Sequence, residues 1–424
     1  MRRITWQLVL CGFMSWLACG CGGGSSPTTD SSTTITVGFG GTQPSAVAQQ
    51  IGTGPWTTAS LQGGKLTVTI PSGTANAQYA IAYVCPLPFI NGNPLQMTLE
   101  YVIEATPKDG TSYTAPCAAP PFSLGSATGS VNAAAIPGTT DVWILGPVGG
   151  LTLGKVGGTN GTFNVNLTTG TEDIAALAVD GSQNLLGVKI LRSQTIPGAV
   201  NGGNSIVFSA NDATHTQPVT LLNAPAGFNS PTFVASYFTA ANTIFGLNNL
   251  SNSQYAAVSA SETQSGDYYE FIGRAATING SHSQSVEALQ TTDTAGPVTL
   301  SFPAPLSVAA PVPATFPTFS INYTGFANQT AVSYGAQLDW TITSGPSNTN
   351  VYDMSVIATA AYQGNSSNIT IPNLTSLAGF LPMAPSGSSI RWTAGATGGN
   401  QQWFSARGNN LLLSVDMQDA YTQP

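Results

Sequence analysis

Hydrophobic and polar residues alternate along most of this chain with a period of two, the spacing of a strand that is dry on one face and wet on the other. Leu66, Val68 and Ile70 alternate with Thr67 and Thr69, and Met97, Leu99, Tyr101 and Ile103 alternate with Thr98, Glu100, Val102 and Glu104. On this pattern Glu100 and Glu104 belong on a wet face. Further on, Leu338, Trp340 and Ile342 share one side of a strand, as do Ile390, Trp392 and Ala394. Many short runs of this kind, broken by Gly, Pro, Asn and Ser turns, predict an all-β chain of tandem antiparallel β-sandwich modules. No motif recurs at a fixed period of about 20 to 50 residues, which favours sandwiches and leaves a propeller as the alternative architecture.

The turn-rich breaks divide the chain into predicted modules at 35–118, 122–226, 229–300 and 319–424. A stretch at 301–318 holding Pro303, Pro305, Pro311, Pro313 and Pro317 reads as a linker or a crossover between sheets. Residues 229–424 fit two modules or one split module equally well. In the second module Phe163, Val165 and Leu167 fall on one face, Thr168-Thr169-Gly170 turns, and Asp173–Val179 returns as a mostly apolar strand. The run Gly161-Thr162-Phe163-Asn164-Val165-Asn166-Leu167 resembles the Gly-x-Phe-x-Val-x-Leu pattern of carboxypeptidase-regulatory-like (transthyretin-like) β-sandwich domains, and Gly129-Ser130-Val131 resembles their Gly-x-Val entry. That resemblance implies a scaffold or binding accessory in place of a catalyst. The last module loosely resembles fibronectin or immunoglobulin sandwiches.

The first 20 residues follow other rules. Arg2 and Arg3 precede an apolar stretch of 15 residues, Ile4 to Ala18, and the small residues around Ala18-Cys19-Gly20-Cys21 follow, which together read as an export signal over 1–20. The stretch is shorter than the roughly 20 residues that span a bilayer. Its end resembles the bacterial lipobox, in which a cysteine becomes acylated and forms the mature N-terminus. Both Cys21 and Cys19 fit. Cysteine parity favours Cys21, because Cys11 and Cys19 then leave with the signal and only the pair Cys85 and Cys117 remains. The resemblance implies a lipid bilayer as partner through an N-terminal acyl anchor, in which each buried methylene adds about 0.8 kcal/mol and one chain alone holds marginally. Gly23 rather than Asp behind the cysteine implies, by likeness to lipoproteins of double-membraned bacteria, the outer membrane of the cell envelope. Residues 21–34, rich in Gly, Ser and Thr, then act as a flexible tether with an r.m.s. reach of roughly 20 Å. Export to an oxidising compartment lets Cys85 and Cys117 form a disulfide.

Charge narrows the partners. Only 7% of residues are charged, against about a quarter in a typical globular chain. Behind the signal 8 basic residues, scattered from Lys65 to Arg407, face 18 acidic ones. They cannot line a phosphate-tracking groove, which excludes nucleic acid.

Little in the sequence points to catalysis, a metal or a cofactor. His215 and His282 both lie in polar, turn-like stretches, and neither a Gly-x-Ser-x-Gly elbow nor a His-Glu-x-x-His helix accompanies them. Glu262, Asp267 and Glu270 form the densest acidic cluster, read as an exposed turn between strands, with weak calcium binding as the second reading. Asp416 and Asp419 read the same way, more weakly. Of Trp56, Trp143, Trp340, Trp392 and Trp403, alternation places Trp340 and Trp392 in cores, while Trp56 and Trp403 are the candidates for stacking on a sugar, although packing is the better reading for both. The expectation is a non-catalytic surface scaffold or adhesion protein at the cell envelope, with a glycan or a protein as ligand. The alternative is a polysaccharide-active enzyme or carbohydrate-capturing subunit, which as an enzyme requires two carboxylates across an open cleft.

Overall fold

Where residues alternate, strands form. The computed structural model describes residues 32–424 apart from 73–76, 88–94, 118–122, 147–153, 248–252, 280–281, 327, 344–348, 365, 367 and 401–410. The predicted export signal, Cys19, Cys21, most of the predicted tether and Trp403 lie outside the described residues. Within them the chain is all-β, its sheets face one another as sandwiches, and no sheet closes into a barrel.

The first sandwich has one layer of three strands, β1 (Thr33–Gly40), β4 (Lys65–Ile70) and β7 (Ser112–Pro116), with β1 in the middle. Leu66, Val68 and Ile70 are at most 1% exposed, so the predicted dry face of β4 is buried. The facing layer contains β2 (Ala46–Ile51), β3 (Thr57–Thr58), β5 (Tyr79–Leu87) and β6 (Leu95–Ala105). A disulfide between Cys85 on β5 and Cys117 just past β7 ties the two layers together.

That facing layer is one end of a twelve-stranded sheet. It continues through β17 (Thr232–Phe238), β18 (Ile244–Gly246), β20 (Tyr268–Asn279), β21 (His282–Thr292), β24 (Ala331–Thr343), β25 (Thr349–Thr359), β27 (Ser389–Gly399) and β28 (Leu411–Thr422), in the order β18-β17-β20-β21-β28-β27-β24-β25-β6-β5-β2-β3. At about 4.8 Å per strand the sheet is roughly 50 Å wide. Strand pairing therefore runs across the predicted boundaries between 35–118, 229–300 and 319–424. Two seams make the joins: β6 pairs in parallel with β25, and β21 pairs antiparallel with β28.

Two small layers cover one face of this long sheet. Strands β16 (His215–Leu222), β19 (Gln254–Ala257) and β22 (Val298–Ser301) lie over β20, where a Cβ at Gly273 would come within 3.2 Å of Leu221 and Leu300. Glycine permits that close approach. Strands β23 (Thr318–Ser320) and β26 (Asn368–Thr370) lie over the C-terminal strands, with Phe319 against Trp392 at 5.6 Å between ring centroids. The Pro-rich stretch is a packed crossover between these layers, because Phe302, Leu306 and Val308 are buried along it.

Residues 124–213 form a sandwich of their own. One layer holds β8 (Leu124–Asn132), β11 (Asn160–Thr168), β14 (Gly198–Ala199) and β15 (Ile206–Val207); the other holds β9 (Asp141–Leu145), β10 (Gly154–Gly157), β12 (Gly170–Val179) and β13 (Leu185–Ile196). The turn after Thr168 carries the chain from one layer to the other, and Phe163, Val165 and Leu167 point into the core between them. A Cβ at Gly129 would sit 2.6 Å from the Phe163 ring, so this position has no room for a side chain. Strand β12 shows why alternation fails there. Ile174, Ala176 and Ala178 fill the sandwich, while Ala175, Leu177 and Val179 join the main core outside it. A strand covered on both faces reads as a continuous apolar run.

One expectation is overturned. Glu100 is 1% exposed and accepts a hydrogen bond from Leu381 N at 2.9 Å, and Glu104 accepts one from Gln363 Nε2 at 3.4 Å in the short helix α1 (Ala360–Gln363). Strand β6 has no wet face, because the first sandwich covers one side and the C-terminal segment covers the other.

The disulfide closes a sequence separation of 32 residues, for which chain entropy gives about 3–4 kcal/mol of stabilisation. Replacing Cys85 and Cys117 together by Ser is expected to remove that amount from the first sandwich, as read by urea unfolding; an unchanged midpoint would contradict a stapling role.

Candidate functional site

The densest acidic cluster lies at the contact between the 124–213 sandwich and the long sheet. Strand β13 is the outer strand of its layer, and it carries Lys189 and Arg192 amid apolar neighbours. Lys189 Nζ lies 3.1 Å from Asp212 and 2.8 Å from Glu262. The Arg192 guanidinium makes a two-pronged bond to Asp267, at 3.0 and 2.6 Å, and a third to Asp173 at 3.0 Å. Such forked pairing is the strongest geometry open to a carboxylate.

Backbone donors complete the site. Glu262 accepts from Ile190 N at 2.6 Å, which closes a free N–H on the edge of β13. Asp267 accepts from Ala240 N, Gln264 N and the Tyr237 hydroxyl at 2.7–2.9 Å. Asp173 sits at a bulge in β12 and accepts from Ser193 N at 3.0 Å. Glu262 and Asp267 are 8% and 5% exposed, so the predicted exposed turn is instead a buried clamp. The sequence signal that was missed is the pair of cations inside an apolar strand, which cannot be buried without acids beside them.

Protonation follows from this packing. Burial disfavours charge on Lys189, but its two carboxylate partners outweigh that and hold the ammonium above its ordinary value. Burial also opposes the charge of Asp212, yet Ser209 N and Lys189 together hold its carboxyl below the usual range. Glu262 goes the other way, pushed up by burial. On acidification Glu262 takes its proton before Asp212.

A second set of polar groups lies on the face of the long sheet turned away from the main core. Across β25, β24 and β27 the register aligns Asp353, Asp339 and Arg391 in one row and Ser355, Gln337 and Thr393 in the next. Asp339 accepts from Arg391 Nε at 3.0 Å, and Asp353 accepts from Ser355 Oγ at 3.1 Å and from Gln337 Nε2. Burial, and then the negative charge of Asp339, push the Asp353 carboxyl well above its usual range. Asp353 therefore keeps its proton to higher pH than an ordinary aspartate, as expected where two carboxyls share a site. The two residues stand directly opposite each other across β24 and β25 and share the Gln337 amide, whose Nε2 lies 3.2 Å from Asp339. Neither was singled out in the sequence.

The remaining candidates are spread out. Glu270, 8% exposed, lies on β20 between β17 and β21, not in a turn, and burial followed by the charge of Glu287 pushes it up to about 7. Asp416 lies within β28, bonded by Ser285 and pushed up by burial; Asp419 sits 3.4 Å from His282 Nδ1. His215 is exposed at the start of β16. Trp340 and Trp392 are core residues, and Trp56 and Trp143 are half-buried against the same core. Among the described residues no three His, Cys, Asp or Glu side chains are grouped to hold a metal ion.

No family model matches the chain, and no curated protein matches it. Among solved structures it is similar to the Bacillus anthracis TIE protein, at 9% identity and a TM-score of 0.14, over 64% of this chain and 50% of that one. This chain thus spans half the length of that structure, and nothing about its function follows from so distant a likeness.

Two expectations come from these charges. Replacing Arg192 by Met strands Asp173 and Asp267, a loss of about 3–5 kcal/mol for a buried pair that loses one partner; urea unfolding followed at Trp143 fluorescence should show the 124–213 sandwich detaching early. Second, Glu100, Glu104, Glu270 and Glu287 are each pushed by burial from an ordinary 4.5 to about 7. Groups raised in the fold contribute stability that is fully present below pH 4.5 and is given up as pH rises through 7. The melting temperature is therefore expected to fall between pH 5 and pH 8, and Glu100→Gln should flatten that slope; a rising profile would refute the assignment.

Proposed function

We propose that the protein is a lipid-anchored component of a bacterial cell envelope, and that its β-sandwich body works as a non-catalytic scaffold or as an adhesion and binding module. The observation that carries this reading is the fate of the acids. Glu262 and Asp267, the residues from which a hydrolytic cleft would most readily be built, are bonded to Lys189, Arg192 and backbone N–H groups. They hold two parts of the molecule together. The neighbouring Asp339 and Asp353 are likewise bonded within the sheet, to Arg391, Ser355 and Gln337. The likeness of residues 122–226 to carboxypeptidase-regulatory-like domains supports a scaffold, and the lipobox around Cys19 and Cys21 supports the anchor.

The test is metabolic palmitate labelling of the full chain with and without globomycin. Label is expected on the native chain and on Cys19→Ala, and is expected to vanish in Cys21→Ala. An unlabelled native chain would remove the anchor, and label lost only in Cys19→Ala would move it by two residues.

A further inference from the structure

A strand that ends a sheet leaves one row of backbone N–H and C=O groups unpaired, and proteins guard such edges by shortness, by Lys or Pro, or by a cover. Among the described residues nearly every sheet end follows that rule. Apart from β4, β7, β11 and β13, no strand that ends a sheet is longer than four residues. Strand β4 has six residues and carries Lys65, and β7 has five and ends in Pro116. Strand β13 carries Lys189 and Arg192, and Glu262 takes up its Ile190 N–H. The exception is β11. It has nine residues with no charge and no proline, and it runs in unbroken register with β8.

Hydrogen bonds at the two ends of that ladder fix which groups of β11 are free. Ala133 N donates to Thr159 O at 2.7 Å at one end, and Thr169 N donates to Ser123 O at 2.9 Å at the other. Bonded and non-bonded positions alternate in an antiparallel pair, so Gly161, Phe163, Val165 and Leu167 are the residues that bond to β8. The backbone N–H and C=O groups of Asn160, Thr162, Asn164, Asn166 and Thr168 point the other way. Among the described residues nothing bonds to them.

Another extended strand is what such an edge accepts, and β11 suits its own copy. Two molecules related by a two-fold axis at Asn164 set their β11 strands antiparallel, with Asn164 opposite Asn164 and Thr162 opposite Asn166 of the second copy. Every free residue then falls in a bonded position, and the two strands exchange up to about ten backbone hydrogen bonds. Self-pairing of a charged strand sets like charges face to face, which costs stability; β11 has no charge to oppose. Its outward Thr and Asn side chains can each donate and accept across the joint. We propose that the protein self-associates through β11, so that the layers containing β8 and β11 of two molecules become one continuous sheet. This goes beyond the scaffold reading and holds with or without the acyl anchor. The contact is a strand edge and not a broad apolar patch, which puts it among weak, concentration-dependent associations.

The experiment is light scattering behind size exclusion on the full-length chain in detergent, joined to cysteine trapping. The mass is expected to be that of a monomer near about 1 µM and to approach a dimer by about 100 µM, the range of a weak interface. Asn164→Cys is expected to give a disulfide-linked dimer on oxidation, because Cα atoms of a bonded pair stand about 5.5 Å apart, within disulfide reach. Thr128→Cys, directly opposite Asn164 on β8, is expected to give none, since the axis leaves its two copies about 14 Å apart. Two variants break the joint and spare the monomer. Asn164→Pro removes an N–H that points outward, and Asn164→Asp keeps the acceptor for Ser126 Oγ while setting two carboxylates face to face. Each is expected to weaken association about tenfold or more, with the melting temperature of the dilute protein unchanged; if Asn164→Pro melts early, Asn164→Asp decides. A chain that stays monomeric throughout leaves the edge to a foreign strand and overturns the proposal. So does trapping through Thr128→Cys as readily as through Asn164→Cys, or a folded Asn164→Asp that associates like the native chain.

Discussion

The backbone hydrogen bonds along the two seams of the long sheet are what the rest of the molecule depends on. Strands β24, β25, β27 and β28 stand in the centre of the sheet, with β6 on one side and β21 on the other. A β-strand with no neighbour exposes a row of unpaired N–H and C=O groups, and four strands inserted between two others remove two such rows at once. The small covering layers, the aromatic packing around Trp392 and the burial of Glu100 all follow from that insertion. Without the seams, β6 would be an outer strand with a wet face, as its alternation suggests.

Charge plays a supporting part, and the chain's few cations are concentrated where they matter. Lys189 and Arg192 join the 124–213 sandwich to the long sheet, Arg391 neutralises Asp339, and the positive charge of Arg274 bears on Glu287 and Asp416. With Lys155 at 3.1 Å from the half-buried Asp141, five of the eight basic residues after residue 20 thus answer buried or half-buried acids. Where no cation is at hand, as at Glu100 and Glu104, the fold keeps the carboxyl protonated instead. A low content of charge and a high content of buried acid are compatible only because of that exchange of ion pairs for protons.

Strands were legible in the sequence because polarity alternates wherever one face is wet, as it does through Leu66, Val68 and Ile70. The turn after Thr168 was legible for the same reason, and the disulfide followed from cysteine parity and compartment. What could not be read was which surface a polar residue meets. Glu100 alternates correctly and still faces protein, because the segment that covers it lies about 280 residues away in the chain, at Leu381. Conversely β12, apolar on both sides, announced double burial without saying against what. The clamp was hidden in the same way: its acids and its cations are some 70 residues apart, at Lys189 and Glu262, and local pattern carries no information about such partners. Only the arithmetic of charge, two cations within an apolar strand, hinted that acids had to come to them.

The seam between β6 and β25 has a temporal side. A ribosome delivers the chain from its N-terminus, so β5 and β6 emerge long before the strand that completes them, and β28, which closes the other seam, follows every other described strand. Until then the earlier parts present raw sheet edges, the kind of surface through which unfinished β proteins clump together. Holding the chain extended until β28 is available would avoid this hazard, and a premature stop ahead of Leu411 would remove the keystone of the whole assembly.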